Sequence, residues 1–468
     1  MPEKELVIIG GGPGGYVAAI RAAQLGGKVT LIEKDTLGGT CLNRGCIPTK
    51  ALLRGVELLE LVEGSREFGI EVGAIAVDFP KMAARKERAV KTLVSGVAGL
   101  MKSSGVEVLK GTGRLVSAHE VEVADEKRQK TVYQAKKIIL ATGSLSAELP
   151  IPGADRPGVI HSDQALELTR VPDSMVIIGA GPIGLEFGTI FAKLGTQVTL
   201  IELLPQILPS EDGEIASALE KSLRRLRMEI LTGAQVREIA EGAEGKKKVL
   251  VQAGEGERAF EAQYVLVAVG RRPNVEGLGL AEAGVRHNRK GIEINEKMET
   301  SVPGIYAIGD VTGQLLLAHF AFAQGAAAAE NALGKEARLD GRVVPRCVYT
   351  LPEVAAVGLT EKQARGAGHD VKIGRFPFSA NGKATILGER AGLVKIVADS
   401  KYDEILGVHM MGPHVTDLIS EAALAMSLEG TAEDLARAIH PHPTLTEAIR
   451  EAALDVEGMM IHMPSRKK

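Results

Sequence analysis

Apolar residues are grouped along the chain in a way that repeats. Short apolar runs, LVII (6–9), VTLI (29–32), MVII (175–178) and VTLI (198–201), read as strands. Between the members of each pair stands a Gly-rich turn and a helical stretch, GGGPGGYVAAIRAAQLG (10–26) and GAGPIGLEFGTIFAKLG (179–195). Each stretch therefore predicts a βαβ unit. Two further runs, IILATG (138–143) and VLVAVG (265–270), end similar strands at a glycine. QGAAAAENALG (324–334) is a helix by propensity, with small residues suited to close packing. EGAEGKKKV (241–249) is charged and turn-rich and reads as a solvated hairpin connection.

The two units are copies of one another. Val7–Glu33 aligns without gaps on Val176–Glu202 at an offset of 169, with 15 of 27 positions identical. Each carries G-x-G-x-x-G, as Gly10, Gly12 and Gly15 and again as Gly179, Gly181 and Gly184. The pattern alone is weak. Here each copy follows a strand, opens a helix, and ends its second strand in an acid 23 residues after the first glycine, Glu33 or Glu202. That is the context of a dinucleotide-binding turn, in which glycines admit the pyrophosphate and the acid accepts from ribose hydroxyls. The alternative is a pair of glycine turns that serve packing only. At Glu202 a 2′-phosphate would meet a carboxylate, and Leu203–Ser210 contains no Lys or Arg to neutralise it. NAD is expected in preference to NADP.

Composition narrows the class. The chain has 468 residues, with 56 Lys+Arg against 59 Asp+Glu, a formal charge of −3. That near balance argues against a nucleic-acid footprint. The length predicts several domains, and 45% apolar against 25% charged residues is ordinary globular usage. Three cysteines, Cys41, Cys46 and Cys347, are too few for a secreted disulfide scaffold. With no long apolar run and a strand starting near residue 5, a soluble, cytoplasmic protein without a targeting segment is expected.

The copies differ after the acid. Glu33 to Gly143 spans 110 residues and Glu202 to Gly270 spans 68, so the first copy carries about 42 more. That extra stretch holds TLGGTCLNRGCIPTK (36–50). Cys41 and Cys46 are too widely spaced for a C-x-x-C zinc site and have no second Cys/His pair nearby, so no metal is expected. The choice is between structural thiols and a redox pair.

GGTCLNRGCIPTK closely resembles the signature of the pyridine nucleotide–disulfide oxidoreductases. ATGS (141–144), GRRPN (270–274), AIGD (307–310), LLAH (316–319), YTLPEVAAVGLTE (349–361) and HPHPTLTE (440–447) follow in that family's order, so the resemblance spans the chain. Arg44, Thr49 and FAFAQG (320–325) are looser matches, expected to alter surroundings and not chemistry.

The resemblance implies two cofactors, FAD and NAD, and a redox disulfide between Cys41 and Cys46. FAD is implied on Gly10, Gly12, Gly15, Glu33, Thr40, Lys50, Gly113, Thr142, Gly143, Ser144, Asp310, Leu316, Leu317, Ala318 and His319. NAD is implied on Gly179, Gly181, Gly184, Glu186, Glu202, Val236 and Gly270. Cys46 is implied as the thiol next to the flavin, Cys41 as the one that meets substrate, and Lys50 as paired with Glu186. A solvated ion pair is the competing reading for those last two. His442 is implied as the acid–base and Glu447 as its orienting carboxylate, with His440 the neighbouring decoy. Attack on a disulfide needs such a base because thiol pKa values lie above neutral. Cys347 is expected to be a small core residue.

The implied activity is NAD-dependent oxidation of protein-bound dihydrolipoamide by a homodimer whose C-terminal segment reaches the other subunit's site. Its partners would be lipoyl domains of 2-oxo acid dehydrogenase complexes or of the glycine cleavage system. Glutathione-type members carry basic residues after the second strand, and mercuric-type members carry a C-terminal cysteine pair; both features are missing here. A flavin-containing scaffold subunit without turnover is the reading from another class.

The expected fold is α/β: two Rossmann-like units, each a parallel sheet with helices on both faces, a central domain and a C-terminal α+β dimerisation domain. The boundaries are placed at 1–147, 148–271, 272–342 and 343–468, within SLSAELPIPG, GRRPN and DGRVVP, which carry Pro or Gly at strand exits. One local consequence follows from geometry. Residues five apart on a straight helix have Cα atoms roughly 8.6 Å apart, beyond the ~4.4–6.8 Å that a disulfide tolerates. If Cys41 and Cys46 bridge, the helix must break near Arg44–Pro48, with Gly45 and Pro48 supplying the means, and the break should persist in the dithiol form.

Overall fold

The computed structural model describes residues 1–254 and 256–464; the last four residues of the expected C-terminal unit, 465–468, lie outside them. Glu3–Ile9 runs parallel to both Val29–Glu33 and Lys130–Leu140, which places Ile9, Ile32 and Leu140 in one row. Ile305–Ala307 joins the same sheet beside Lys130–Leu140, with Ala307 opposite Leu140. Four segments of distant sequence, the turns after Ile9, Ile32, Leu140 and Ala307, thereby emerge at one edge of the sheet. Such an edge of parallel strand ends is where open α/β sheets bind ligands. The second copy repeats the plan in a five-stranded parallel sheet, with Ser174–Ile178 between Gln197–Ile201 and Tyr264–Val267.

One face of each sheet departs from the expected helices-on-both-faces plan. Pro13–Gln24 and Ala318–Ala332 cover one face of the first sheet. The opposite face buries Val7, Ile9 and Ile138 against Leu115, Val121 and Val123 of Thr112–Ser117 and Glu120–Ala124, which continue the same sheet antiparallel from Lys130–Leu140 and make it mixed, and against the 278–285 segment. In the second unit, helices bury Ile177 and Leu200, while Val176, Ile178 and Ile201 lie under a three-stranded antiparallel sheet formed by 234–262. A βαβ repeat supplies helices to one face only when its crossovers all pass on that side, so strands cover the other. The charged 241–249 stretch is the turn of that small sheet, joining Ala234–Glu241 to Lys247–Ala253.

The Ala-rich helix Ala318–Ala332 lies directly on Pro13–Gln24, and its small residues are what permit this. A Cβ at Gly325 would stand 2.5 Å from the carbonyl oxygen of Gly14. The C-terminal segment forms a five-stranded antiparallel sheet. Helices Val415–Ser427, Ala432–Arg437 and Glu447–Val456 close the core on one side of it. Ion pairs tie this sheet to the second dinucleotide unit: Lys395 Nζ is 3.0 Å from both carboxylate oxygens of Asp212, Arg346 Nε is 2.9 Å from Glu211 Oε1, and Arg375 Nε is 2.8 Å from Glu214 Oε2. Among the described residues, no helix is long and apolar enough to cross a membrane.

Candidate active site

The two glycine turns are built alike. Gly10 and Gly179 have φ of +109° and +103°, left-handed values that turn the chain sharply out of its strand. A Cβ on Gly15 would stand 1.8 Å from the Gly10 carbonyl oxygen, and one on Gly184 2.0 Å from that of Gly179, so the third glycine seats the helix on the turn. The middle glycine differs. No atom lies within 4 Å of a Cβ at Gly181, and only the Gly39 Cα, at 3.7 Å, approaches one at Gly12. Both cradles are thus open where a pyrophosphate would rest against a helix N-terminus. The acids repeat as well. Glu33 accepts from Gly11 N and Asp35 N at 2.7 Å each, and Glu202 accepts from Ala180 N at 2.7 Å and Leu204 N at 2.9 Å. The donor sets therefore fit two dinucleotides.

Beside the first cradle the motif residues converge. Thr142 Oγ1 donates to the Asn274 carbonyl at 2.9 Å, and Asn274 N donates to the Gly143 carbonyl at 2.9 Å. Ser144 donates its hydroxyl to Asp310, while Arg271 Nε donates to the Ser144 hydroxyl at 2.7 Å. Burial raises the Asp310 carboxyl, opposed by Ser144 and Arg271. Arg271 and Asn274 were not among the site residues expected from sequence, although GRRPN contains both. Leu317 N-caps Ala318–Ala332 after the exposed Leu316, and His319 Nε2 lies 2.8 Å from the Pro345 carbonyl oxygen. Two expected cofactor residues sit in packing. Gly113 lies against Ile9 and Ile32, and Val236 is buried in the core beneath the small antiparallel sheet. Gly270, at φ +122°, follows Tyr264–Val267 at the open edge of the second sheet.

The cysteine segment starts where Gly39 meets Gly12; a Cβ on Gly39 would stand 2.7 Å from the Gly12 Cα. Thr40 and Cys41 lie on the helix Gly39–Arg44, and Cys46 opens the next helix, Cys46–Glu63. The break between them is at Gly45, where a Cβ would come within 3.0 Å of the Thr40 carbonyl oxygen. Both cysteines are free thiols, so the break belongs to the dithiol form. Pro48 is the third residue of the new helix, and it has no N–H for the Arg44 carbonyl that a continuous helix would pair with position 48. Gly45 lies at the interruption, and Thr49 secures it by donating both N–H and hydroxyl to the Gly45 carbonyl. The other loose matches are also local supports: Arg44 pairs with Asp35, and Gln324 accepts from Gly309 N at 2.7 Å.

Cys46 therefore stands at a helix N-terminus, with Lys50 one turn below on the same face. A hydrogen bond from Cys41 and the Lys50 charge overcome burial and bring the Cys46 thiol down to about 7. The same contact pushes Cys41 up. Lys50 Nζ lies 2.8 and 2.7 Å from the two oxygens of Glu186, on the helix Pro182–Lys193 of the second unit. The Glu186 side chain is 5% exposed and that of Lys50 31%, so the pair is partly buried, with its carboxylate shielded from water. Tyr349, another residue not singled out from sequence, donates its N–H to Glu186 and lays its ring beside Lys50. Cys347 is half-buried, pushed up to about 12 chiefly by burial.

His442 and Glu447 form a separate pair. His442 Nδ1 is 2.9 Å from Glu447 Oε1, and the carboxylate's other oxygen accepts from Thr444 N at 2.9 Å. Nε2 has no hydrogen bond among the described residues, on an imidazole whose side chain is 76% exposed. Among the described residues no hydrogen bond joins this pair to Cys41, Cys46 or Lys50 of the same chain. His440 is engaged elsewhere: Nε2 contacts Glu421 at 2.7 Å, Nδ1 contacts the Ala438 carbonyl at 3.0 Å, and the Glu421 contact raises its pKa.

Comparison with known proteins bears on the whole assembly. The family model described as pyridine nucleotide-disulphide oxidoreductase matches residues 4–325, and that family's dimerisation domain matches residues 344–453. A dihydrolipoyl dehydrogenase of Bacillus subtilis (strain 168) is 45% identical, with 98% of this chain and 99% of the relative covered. The dihydrolipoyl dehydrogenase of Thermus scotoductus is 46% identical with both chains covered completely. Among solved structures, LpdA of Mycobacterium tuberculosis superposes with a TM-score of 0.89 at 28% identity, covering 96% of this chain and 99% of that one. The HOCl-induced flavoprotein disulfide reductase RclA of Escherichia coli gives a TM-score of 0.83 at 28% identity, covering 95% and 98%.

Proposed function

The chain belongs to the pyridine nucleotide-disulphide oxidoreductase family, and we propose that it oxidises protein-bound dihydrolipoamide to lipoamide, with FAD as resident cofactor and NAD as electron acceptor. The observation that carries this reading is the Cys41–Cys46 pair held at the Lys50–Glu186 junction between two dinucleotide cradles. The Gly10–Gly15 turn, Glu33 and Asp310 would hold FAD; the Gly179–Gly184 turn and Glu202 would hold NAD. FAD, when bound, supplies the two-electron carrier between the dithiol and the nicotinamide.

The residues of the chain account for the thiol chemistry. His442 Nε2 takes the proton from one substrate thiol, while Glu447 on Nδ1 fixes the tautomer and stabilises the imidazolium. The substrate thiolate attacks Cys41 in the Cys41–Cys46 disulfide. The S–S bond breaks, and Cys46 leaves with the electron pair as a thiolate, the form favoured by Cys41 and Lys50. The second substrate thiol then loses its proton to solvent and attacks the substrate sulfur on Cys41. Lipoamide closes its own disulfide, Cys41 leaves, and it takes its proton from His442. The substrate loses two electrons and the protein disulfide gains them.

The exposed His442 and the dimerisation-domain match support a homodimer in which each His442 serves the thiols of the other subunit. The same reading assigns residues 1–147 and 272–342 to the FAD site, 148–271 to NAD and 343–468 to dimer contacts. Its partners are lipoyl domains of 2-oxo acid dehydrogenase complexes or the glycine cleavage system, met in the cytoplasm. The test is NADH-driven reduction of free lipoamide by the holoenzyme, run beside glutathione disulfide with NADPH. Turnover of lipoamide alone is expected; faster turnover of glutathione disulfide would overturn the substrate assignment.

A further inference from the structure

Lys50 carries a point charge on a flexible four-carbon stem, so its position has to be imposed by its neighbours. Two of them are the carboxylate oxygens of Glu186. The third is the face of Tyr349, whose ring centroid is 4.6 Å from Nζ. Tyr349 also touches the other half of the pair, since its backbone N–H donates to Glu186 Oε1 at 3.1 Å. One residue thus contacts both the cation and the anion, from an element that belongs to neither dinucleotide unit.

That element is well anchored. Tyr349 directly follows the strand Arg346–Val348, and Arg346 is clamped by Glu211 through contacts of 2.9 and 3.1 Å. Thr350 caps the following turn by donating to the Pro352 carbonyl at 2.6 Å. The Tyr349 hydroxyl has no hydrogen bond among the described residues, so the ring face, not the phenol, meets Lys50. A cation over an aromatic face is attracted by the ring quadrupole, most strongly where water is partly excluded.

We propose that Tyr349 is a positioning residue of the redox site: its ring and its N–H hold the Lys50 ammonium against Glu186 and over the helix face that bears Cys46. The proposal rests on the reading of Cys46 as the thiolate beside the flavin. The consequence is electrostatic. Cys46 is faced by Cys41, Lys50 and Glu186, and Asp310 acts on Cys41. Of these groups Lys50 is the only cation, so a displaced Lys50 leaves the thiolate beside Glu186 without compensation.

The experiment compares Tyr349→Phe, Tyr349→Leu and Tyr349→Met, each in the Cys41→Ser holoenzyme dimer. Two readouts are followed against pH: the long-wavelength absorbance of a thiolate beside flavin, and the rate at which iodoacetamide alkylates Cys46, scored by mass spectrometry. Tyr349→Phe should titrate with the parent midpoint. The two ring-free variants should move the Cys46 midpoint upward by about half a pH unit or more. In a Lys50→Met background the ring-free substitutions should add nothing. A parent-like midpoint in both ring-free variants would overturn the proposal, as would an equal shift in Tyr349→Phe or a shift that survives Lys50→Met. A parent protein with no thiolate absorbance and an ordinary thiol alkylation profile would instead overturn the thiolate reading, and the role of Tyr349 with it.

Discussion

Replacing Glu202 should weaken the preference for NAD over NADP. The carboxylate is pinned by two backbone donors, Ala180 N at 2.7 Å and Leu204 N at 2.9 Å, so it cannot swing away from an incoming ribose. A 2′-phosphate would bring about two negative charges to within roughly 4 Å of it. At that separation each charge pair costs about 1 kcal/mol even with the dielectric of bulk water, and about 4 kcal/mol at the effective dielectric of a protein surface. The lower limit already sums to about 2 kcal/mol, more than the ~1.4 kcal/mol that corresponds to tenfold. Leu203–Ser210 offers no cation to offset it. NADH should therefore exceed NADPH by at least tenfold in kcat/KM for lipoamide reduction. Leu203 is 61% exposed, so Glu202→Ala combined with Leu203→Arg adds a phosphate partner without burying a charge, and should narrow the gap. Steady-state kinetics with both cofactors decide the matter. Equal use of NADH and NADPH by the unaltered protein, or an undiminished gap in the double variant, would refute the reasoning.

The thiol site yields further expectations. Cys46→Ser should abolish the long-wavelength thiolate–flavin absorbance, while Cys41→Ser retains it; the reverse pattern in absorbance spectra would exchange the two roles. Because the Cys46 thiol is brought down to about 7, the band in the reduced protein should grow as pH rises through about 7 and fade below it as the sulfur protonates, and a midpoint near an ordinary thiol value of ~8.5 in a pH titration would contradict this. His442→Gln should slow the thiol half-reaction by about 10²–10⁴-fold in stopped-flow mixing, whereas His440→Gln, whose ring is already committed to Glu421 and Ala438, should cost far less; comparable losses would mean that the base is misassigned.

The legible part of this molecule was the part that repeats or has a fixed chemical spacing. The duplication placed both cradles because G-x-G-x-x-G constrains backbone, and Gly12 and Gly181 do stand open as that pattern requires. The break in the cysteine helix was legible because a straight helix keeps residues five apart too distant to bridge, and Gly45 and Pro48 stand where the two helices part. The covering of each parallel sheet was not legible. Alternating apolar strands such as Thr112–Ser117 carry no record of which face they will close. Arg271, Asn274 and Tyr349 escaped for a related reason. Each acts through partners more than a hundred residues away, Ser144, Thr142 and Lys50, so the motifs GRRPN and YTLPEVAAVGLTE that contain them do not show what their side chains meet.

The central claim is that electrons from a dithiol substrate pass through Cys41 and Cys46. It is tested most directly by anaerobic mixing of the purified holoenzyme with dihydrolipoamide, followed by absorbance. The unaltered protein should develop the thiolate band within a turnover and then reduce added NAD, while Cys41→Ser, Cys46→Ser and the double variant should neither oxidise dihydrolipoamide nor reduce NAD with it. Dihydrolipoamide-dependent NAD reduction that survives in the double variant would contradict the account.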